Sequence, residues 1–258
     1  MSAGLAPPPL AVFEAPAHWR SIEFLSDLHL CADTPRTLDA LTRHLRSSDA
    51  DAIVVLGDLF EVWVGDDVRF SPFEQACMQV LHEASEHHYL AFIAGNRDFL
   101  VGEDFLHDAG MQGWADPTLL KAFGSSVLLT HGDALCLSDT RYQQFRQQVR
   151  GAAWLTSFLS QPLAERQAQA RQMRDASEQG REQQTSWGDI DVPCALSWLD
   201  AAGSGQMIHG HTHHPSHDRL DSGHARWVLS DWDFEGSEPR ADVLRWTAAG
   251  IERRQPAG

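Results

Sequence analysis

The segment SIEFLSDLH, residues 21–29, carries the pattern on which the fold prediction rests. It begins with a short aliphatic and aromatic run and ends in Asp27 and His29, whose side chains can bind a metal ion. A short apolar run that barely alternates and stops at polar residues is typical of a strand buried on both faces. We therefore predict a strand that presents Asp27 and His29 at its carboxyl end.

Four further segments repeat this form, because each is an apolar run followed by a residue that can bind a metal. They are AIVVLGD (52–58) with Asp58, YLAFIAGNRD (89–98) with Asn96, SVLLTHGD (126–133) with His131, and QMIHGHTH (206–213) with its histidines. The stretches 36–47 and 72–88 between the first runs have helical periodicity. Alternating strands and helices predict an α/β layered domain. Ligands in such folds bind beyond the carboxyl ends of the strands, where these polar residues would meet.

The remaining stretches divide the chain into a domain, an insertion and an arm. Residues 138–184 are rich in helix formers and poor in strand signals, which predicts a helical insertion, at about 138–186, that covers the strand ends as a lid. ARWVLSDWD (225–233) predicts one more strand near the site. Residues 1–20 contain three consecutive prolines, and we expect a disordered or loosely attached arm there. The domain itself is predicted to span 21–258.

Composition limits the classes of function. The chain has 258 residues, 43% of them hydrophobic and 22% charged, which is typical of a globular domain with a real core. A formal net charge of −16 argues against nucleic-acid binding. The four cysteines are scattered without a CxxC pair, so reduced thiols are expected and a cysteine zinc site is not. The sequence shows no secretory signal and no transmembrane run.

The polar residues at the strand ends form a ligand set without a thiolate. Asp27, His29, Asp58, Asn96, His131 and two histidines of the tract offer more donors than a single four-coordinate zinc uses. They suit two adjacent divalent ions that share a bridging carboxylate, with Mn²⁺ favoured and iron or zinc left open. Two such ions can activate water and neutralise phosphate oxygens. This predicts metal-assisted hydrolysis of a phosphate ester or anhydride, although each short motif alone could be a turn or a helix cap.

The motifs DLH, GD, GN, HGD and GHTH occur in that order between residues 27 and 213 and resemble the calcineurin-like metallophosphoesterases. The resemblance implies two central mixed β-sheets flanked by helices. It also implies that one ion is bound by Asp27, His29, Asp58 and His213. The second ion would be bound by Asp58, Asn96, His131 and His211. In the tract HGHTHHPSH (209–217), His209 would then support the strand from behind, His214 would lie at the rim, and His217 has no assigned role.

Longer strings are similar to the UDP-2,3-diacylglucosamine diphosphatase family over about residues 21–235. They are FLSDLHLCADTPRT, LGDLFEVWVGDD, GNRDFLVG, LLTHGDALCLSDTRYQQFR and IHGHTHHP. The resemblance implies manganese-dependent cleavage of the lipid nucleotide to UMP and 2,3-diacylglucosamine 1-phosphate, in lipid A biosynthesis. It also implies peripheral attachment to the cytoplasmic face of the inner membrane. No protein partner is evident.

Arg97 follows Asn96, at a position where many relatives that cleave alkyl phosphoesters have a histidine that protonates the leaving group. Arginine stays charged and is a poor acid, but a diphosphate does not need one because its leaving group is itself a phosphate. Arg97 therefore favours an anhydride substrate, whose charge a guanidinium can neutralise. The alternative is a surface pair between Arg97 and Asp98.

The resemblance assigns the remaining substrate contacts unevenly. Together with Asn96, Arg97 and His211, it places Asp139 and Ser177 at positions that contact the uridine–sugar ligand. Arg181 stands where the family usually has Asn, so the recognition of the head group is expected to differ.

The predicted insertion combines apolar and basic residues, a composition that suits contact with an anionic bilayer or an acyl chain. The apolar residues are Trp154, Leu155, Phe158, Leu159 and Leu163, and the basic ones are Arg141, Arg146, Arg150, Arg166, Arg171 and Arg174. The alternative is a helix whose apolar face packs on the domain.

Two rival functions stay open at this point. One is another calcineurin-like phosphoesterase that acts on a different phosphoester or diphosphate. The other is a non-catalytic metal-binding or scaffold protein.

Overall fold

Two six-stranded sheets pack face to face in the computed structural model. The structure describes the backbone of residues 7–182 and 188–258 and the side chains of 7–173 and 188–258. The first sheet has the order β12-β11-β2-β3-β4-β5 and the second β1-β6-β7-β8-β10-β9. In chain order, the twelve strands are β1 Ala11–Glu14, β2 Ser21–Leu25, β3 Ala52–Leu56, β4 Tyr89–Ile93, β5 Met111–Trp114, β6 Thr118–Ala122, β7 Ser125–Leu129, β8 Gln206–His209, β9 Ser216–Arg219, β10 Ala225–Val228, β11 Val243–Thr247 and β12 Gly250–Arg254.

Helices cover the outer faces of both sheets. They are α1 Pro35–Ser47, α2 Pro72–Ser85, α3 Glu103–Asp108, α4 Thr140–Val149, α5 Ala152–Leu159, α6 Leu163–Glu182 and α7 Val192–Ala202. α1 and α2 begin with proline, which suits the first turn of a helix, and α7 is capped by the Asp191 carboxylate. The layered α/β sandwich with two mixed sheets is thus confirmed.

Successive residues of the buried strands point to opposite faces, so the first sheet contributes side chains to two hydrophobic cores. Val54 of β3 faces the layer between the sheets, whereas Ile53 and Val55 face the helices on the outside. Because successive strand residues point to opposite faces, a run such as AIVVL must be apolar throughout when both faces are covered. The six predicted strands, including the one at 225–228, are all present. β2 to β5 run parallel, so their carboxyl ends lie at one edge.

The expectation of a disordered or loosely attached arm is wrong for residues 11–20. β1 pairs in parallel with β6 at the edge of the second sheet, and Trp19 is buried. The rings of Phe13 and Tyr89 lie 5.9 Å and 5.1 Å from that of Trp19. The aromatic contacts and the ladder hold this segment, and the prolines at 7–9 only precede it. Residues 1–6 lie outside the described residues.

Within the predicted insertion, the described residues 138–182 contain α4, α5 and the backbone of α6, whereas residues 183–186 lie outside the described ranges. Its apolar face packs mainly on the domain: Phe158 is buried, and Trp154, Leu155 and Leu163 contact the same core. Leu159 alone among the apolar residues named for this stripe is largely exposed. The packing alternative therefore describes most of the stripe.

Three arginines that were expected to add positive charge to the surface of the insertion point inward. Arg166 is buried and donates to the Val64 carbonyl and the Asp67 carboxylate. Arg146 and Arg150 lie beside the buried carboxylate of Asp133. Arg141 and Arg171 are exposed, and Arg174 lies outside the described side chains. Within the described ranges, no helix is long and apolar enough to cross a membrane.

We expect Trp19→Ala to lower the free energy of unfolding by about 3–5 kcal/mol, because it removes a large buried ring. Denaturant unfolding measures this change. Val12→Ala is the matched control, since Val12 lies in β1 but is 53% exposed, and it should change stability by no more than about 0.5 kcal/mol. If both substitutions lower the free energy of unfolding by the same small amount, the segment of β1 and Trp19 is not packed on the domain.

A second prediction concerns a buried ion cluster at the amino-terminal end of β2. Burial raises the pKa of Glu23, but contacts with His44 and Ser48 and with the Arg245 guanidinium outweigh this effect, and the pKa falls from 4.5 to about 2. A lowered carboxyl pKa stabilises the fold above pH 4.5, and that stability is lost as the pH falls toward 2.

Glu23→Gln should therefore cost about 3 kcal/mol at neutral pH. The difference from the wild type should shrink as the pH is lowered from 4.5 to 2. Denaturant titrations across this range test it, with the exposed Glu86→Gln as control. A stability difference that stays constant with pH would contradict the assignment.

Candidate metal centre

The loops that follow β2, β3, β4, β7 and β8 meet at one end of the sandwich. Backbone hydrogen bonds join them: the Asp27 N–H donates to the Gly57 carbonyl, the His29 N–H to the Asp58 carbonyl, and the Gly210 N–H to the His131 carbonyl. These bonds continue the ladders beyond the strands. They bring the predicted polar residues from five places in the chain to one site.

A first group of ligand atoms comes from Asp27, His29 and His213. Nε2 of His29 lies 3.3 Å from Nε2 of His213, and the latter lies 3.3 Å from Oδ1 of Asp27. Two imidazole nitrogens that share an ion at a bond length of about 2.1 Å would lie about 3.0–3.4 Å apart. The separation fits a shared cation.

A second group consists of Asp27, Asp58 and His131, whose ligand atoms lie within 4.8 Å of one another. Nε2 of His131 lies 2.9 Å from Oδ1 of Asn96, which lies 2.8 Å from Nδ1 of His211. All seven predicted metal ligands therefore converge. Asp27 is the carboxylate common to both groups, whereas Asp58, the predicted bridge between two ions, belongs to the second.

The chemistry of the donor atoms fits divalent cations. Oδ1 of Asp27 is buried and makes no well-aligned hydrogen bond to the described residues. It faces Nε2 of His213 at 3.3 Å, so a shared cation would satisfy both atoms. The donors are imidazole nitrogens and carboxylate or amide oxygens, which manganese, iron and zinc all accept. The structure thus contains a candidate divalent-metal site.

Backbone strain is concentrated in the ligands. Asp27, His29, Asp58, His211 and His213 all have φ between 49° and 65°. Residues with a side chain rarely adopt this left-handed conformation, which costs of order 1–3 kcal/mol each. It turns each side chain back over the strand end, and the interloop hydrogen bonds hold it there.

Two glycines of the motifs allow the loops to approach each other. A Cβ at Gly95 would collide with the Asp58 carboxylate, and a Cβ at Gly210 would collide with the Asp27 carboxylate and Ser26. Because these neighbours are themselves ligands or packed beside them, they cannot move aside without moving the site. The glycines in GN and GH are therefore required for close packing.

The site concentrates negative charge around its histidines. Burial lowers the pKa of His131, but the carboxylates of Asp58, Asp27 and Asp133 outweigh it and raise this pKa to about 9. Burial and the neighbouring His131 lower the pKa of His211 to about 3. The field that holds a proton on His131 equally favours a dication, whose binding displaces protons from such ligands.

Arg97 does not pair with Asp98, so that alternative is wrong. Asp98 is completely buried, and its carboxylate accepts the N–H groups of Leu59 at 2.7 Å and Gly95 at 2.8 Å. Burial and the Asp58 charge raise the pKa of Asp98 to about 7. The side chain of Arg97 instead lies 3.5 Å from Oε1 of Glu61, and it borders the metal ligands through Asn96.

Asp133 is a residue of the site that the sequence reasoning did not assign. Its buried carboxylate accepts the Tyr142 hydroxyl at 2.5 Å and Nε of Arg146 at 2.7 Å. It thereby joins the loop of His131 to α4 of the insertion, while Arg150 donates to the Gly95 carbonyl at 2.9 Å. Its place as the third residue of the HGD motif was the sequence signal that could have identified it.

The other predicted residues have distinct surroundings. Asp139 caps α4 by accepting the Tyr142 N–H at 2.9 Å. The side chains of Ser177 and Arg181 lie outside the described residues, and their predicted substrate contacts stay predictions. His209 is buried behind the site, His214 is exposed, and the ring of His217 stacks on Trp227 at 3.7 Å.

Comparison with known proteins agrees with this geometry. The family model of calcineurin-like phosphoesterases matches residues 21–215. A UDP-2,3-diacylglucosamine hydrolase of Stenotrophomonas maltophilia (strain K279a) is 43% identical over 247 residues, which cover 89% of this chain and 98% of that relative. A protein of the same name from Chromobacterium violaceum is 43% identical over 218 residues, 82% of this chain and 90% of the relative.

A third relative named UDP-2,3-diacylglucosamine hydrolase, from Aromatoleum aromaticum, is 40% identical, and the alignment covers 88% of this chain and 93% of the relative. The likeness thus extends over 82–89% of this chain and 90–98% of each relative. The chain belongs to the calcineurin-like phosphoesterases and, within them, to the UDP-2,3-diacylglucosamine hydrolase family.

Proposed function

We propose that this protein hydrolyses the diphosphate of UDP-2,3-diacylglucosamine to UMP and 2,3-diacylglucosamine 1-phosphate, a step of lipid A biosynthesis. The observation that carries the proposal is the convergence of Asp27, Asp58, His131 and their partners beside Arg97. The names of relatives about 40% identical over most of the chain supply the substrate.

We assign the metal centre two Mn²⁺ ions, one held mainly by Asp27, His29 and His213 and one by Asn96, His131 and His211. Asp58 contributes as the bridging ligand in this proposal. When bound, such ions lower the pKa of a water and neutralise charge on phosphate oxygens. The protein's own contribution is to hold seven donors on strained, mutually bonded loops, so little reorganisation is needed at the moment of reaction.

Asn96 and Arg97 are assigned to the diphosphate itself. Arg97 is largely buried beside the ligands, where its guanidinium can pair with a phosphate in bidentate geometry. It cannot act as a proton donor, and the UMP or sugar-phosphate leaving group requires none. Asp139, Ser177, Arg181 and His211 complete the proposed contacts to the uridine and sugar phosphate.

We also propose peripheral contact with the cytoplasmic face of the inner membrane. Exposed apolar side chains lie on the segment 62–70 and on α5, where Val62 is 45%, Phe70 62% and Leu159 46% exposed. Leu159 lies beside the backbone of Gly65, so these two elements are adjacent. Exposed apolar area next to the helical insertion is suited to acyl chains or lipid. The insertion would then serve as a lid over the bound lipid.

Asp58→Asn and His131→Ala should each reduce hydrolysis by at least about 100-fold, because each removes a ligand at the reacting phosphate. UMP release from UDP-2,3-diacylglucosamine is followed by thin-layer chromatography, with and without added Mn²⁺ after chelation. Glu83→Gln, at an exposed ion pair with Arg46, is the control and should retain activity. Turnover by both variants, with normal folding by circular dichroism, would refute the two-metal mechanism.

Arg97→Ala should lower kcat/KM for the diphosphate by about 10²–10³. It should affect hydrolysis of bis-p-nitrophenyl phosphate far less, because that diester carries less charge to neutralise. Arg97→His should shift the preference further toward the diester. If the wild type cleaves the generic diester more readily than the lipid nucleotide, a different phosphoesterase activity would replace the proposal.

A further inference from the structure

Glu61 lies at the junction of two loops of the metal centre. Its backbone N–H donates to the Leu30 carbonyl at 3.1 Å, one residue beyond His29. Two residues later, the Trp63 N–H donates to the Arg97 carbonyl at 3.0 Å. The segment that carries Glu61 is therefore tied on one side to the DLH loop and on the other to the GNRD loop.

The Glu61 carboxylate uses different oxygens toward these two loops. Oε2 lies 2.9 Å from Nδ1 of His29, and Oε1 lies 3.5 Å from Nη1 of Arg97. The Glu61 side chain is only 12% exposed, so solvent screens these contacts weakly. The N···O distance of the His29 contact suits a hydrogen bond, and the N–H direction is oblique to the carboxylate oxygen.

We propose that Glu61 is a positioning residue that orients His29 for the metal ion and holds Arg97 beside it. The proposal rests on the proposed metal centre, and it does not depend on which lipid nucleotide is the substrate. Glu61 itself does not touch the reacting atoms; it acts through one ligand and one phosphate-binding residue.

For His29, the carboxylate selects the tautomer. A proton on Nδ1 faces Glu61, which leaves the lone pair of Nε2 directed toward His213 and Asp27. A carboxylate behind a ligating imidazole also makes the imidazole more basic. Glutamine cannot fully replace it, because one end of the amide is a donor that would face either His29 or Arg97.

For Arg97, the carboxylate supplies a fixed counter-charge next to a dense cation site. Two dications and a guanidinium repel one another, and an unpaired Arg97 would turn away from the ions toward solvent. With Glu61 in place, the guanidinium stays beside Asn96 and retains further donors for a phosphate. Loading of the His29 ion and the position of Arg97 thus depend on the same side chain.

The test measures Mn²⁺ binding by calorimetry in the full-length protein without substrate. Glu61→Gln should weaken binding by about 10- to 100-fold. Arg97→Ala should not weaken Mn²⁺ binding, because Arg97 is not a ligand and its charge opposes that of the ions. Glu83→Gln controls for the loss of a glutamate charge, and thermal unfolding of metal-free Glu61→Gln establishes that the variant is folded.

The proposal that Glu61 holds Arg97 in position is tested by a double-mutant cycle on kcat/KM at saturating Mn²⁺. Because Glu61 acts through Arg97, the effects of Glu61→Gln and Arg97→Ala should be less than additive, with most of the Glu61→Gln loss absent in the Arg97→Ala background. If Glu61→Gln binds Mn²⁺ as tightly as the wild type does, the proposal that Glu61 orients His29 is wrong. If the effects of Glu61→Gln and Arg97→Ala on kcat/KM are additive, the proposal that Glu61 positions Arg97 is wrong. An inactive wild type that still shows the affinity difference would refute the proposed function alone.

Discussion

The structure depends on the burial of carboxylates at the carboxyl ends of its strands. Asp27 and Asp133 are completely buried and Asp58 nearly so. Removing each charge from water costs several kcal/mol, which partners must offset. Backbone N–H groups supply part of this compensation, because the His211 N–H donates to Asp27 and the Arg97 N–H donates to Asp58. Histidines and arginines contribute further compensating charge and hydrogen bonds, and Oδ1 of Asp27 faces Nε2 of His213, where a cation would be shared. The loops that carry these carboxylates have left-handed backbone at Asp27 and Asp58.

The layered sandwich makes this concentration of charge possible. Residues such as Phe24, Val54 and Ile208 fill the space between the sheets without polar groups, so the strands are fixed on both faces. Interloop hydrogen bonds then extend the register of β2 and β3 as far as His29. A shift of one residue in either strand would exchange the faces of all its side chains and dismantle the site. Packing far from the chemistry therefore sets the ligand positions, and the strain at the ligands is balanced by an otherwise regular core.

The sequence predicted what is local and left out what is tertiary. Strand ends at Asp27, Asp58, Asn96 and His131 could be predicted because each follows an apolar run directly, and parallel strands bring such ends together. β1 could not, because four residues with partly exposed side chains become a strand only through pairing with β6 and contact with Trp19. Glu61 and Asp133 were missed for the same reason: their partners lie on other loops or on α4. The left-handed ligands carry little sequence signal: aspartate and histidine adopt positive φ more often than most residues with a side chain, but only in a small minority of cases.

The arginines of the insertion show why composition alone gives a misleading surface. Counted along the sequence, they suggest a basic face for a bilayer, yet Arg166 is buried beside Asp67, and the partly buried Arg146 pairs with the buried Asp133. A buried guanidinium must be paired, and a single long side chain with several donors can join a helix to a loop at two or three oxygens. These residues therefore fix the insertion to the VGDD and HGD loops. The surface proposed for lipid contact exposes the apolar side chains Val62, Phe70 and Leu159, and a net charge of −16 makes general attraction to anionic lipid unfavourable. Contact with a membrane would consequently depend on apolar insertion at this edge, next to the loop that carries Glu61, more than on charge.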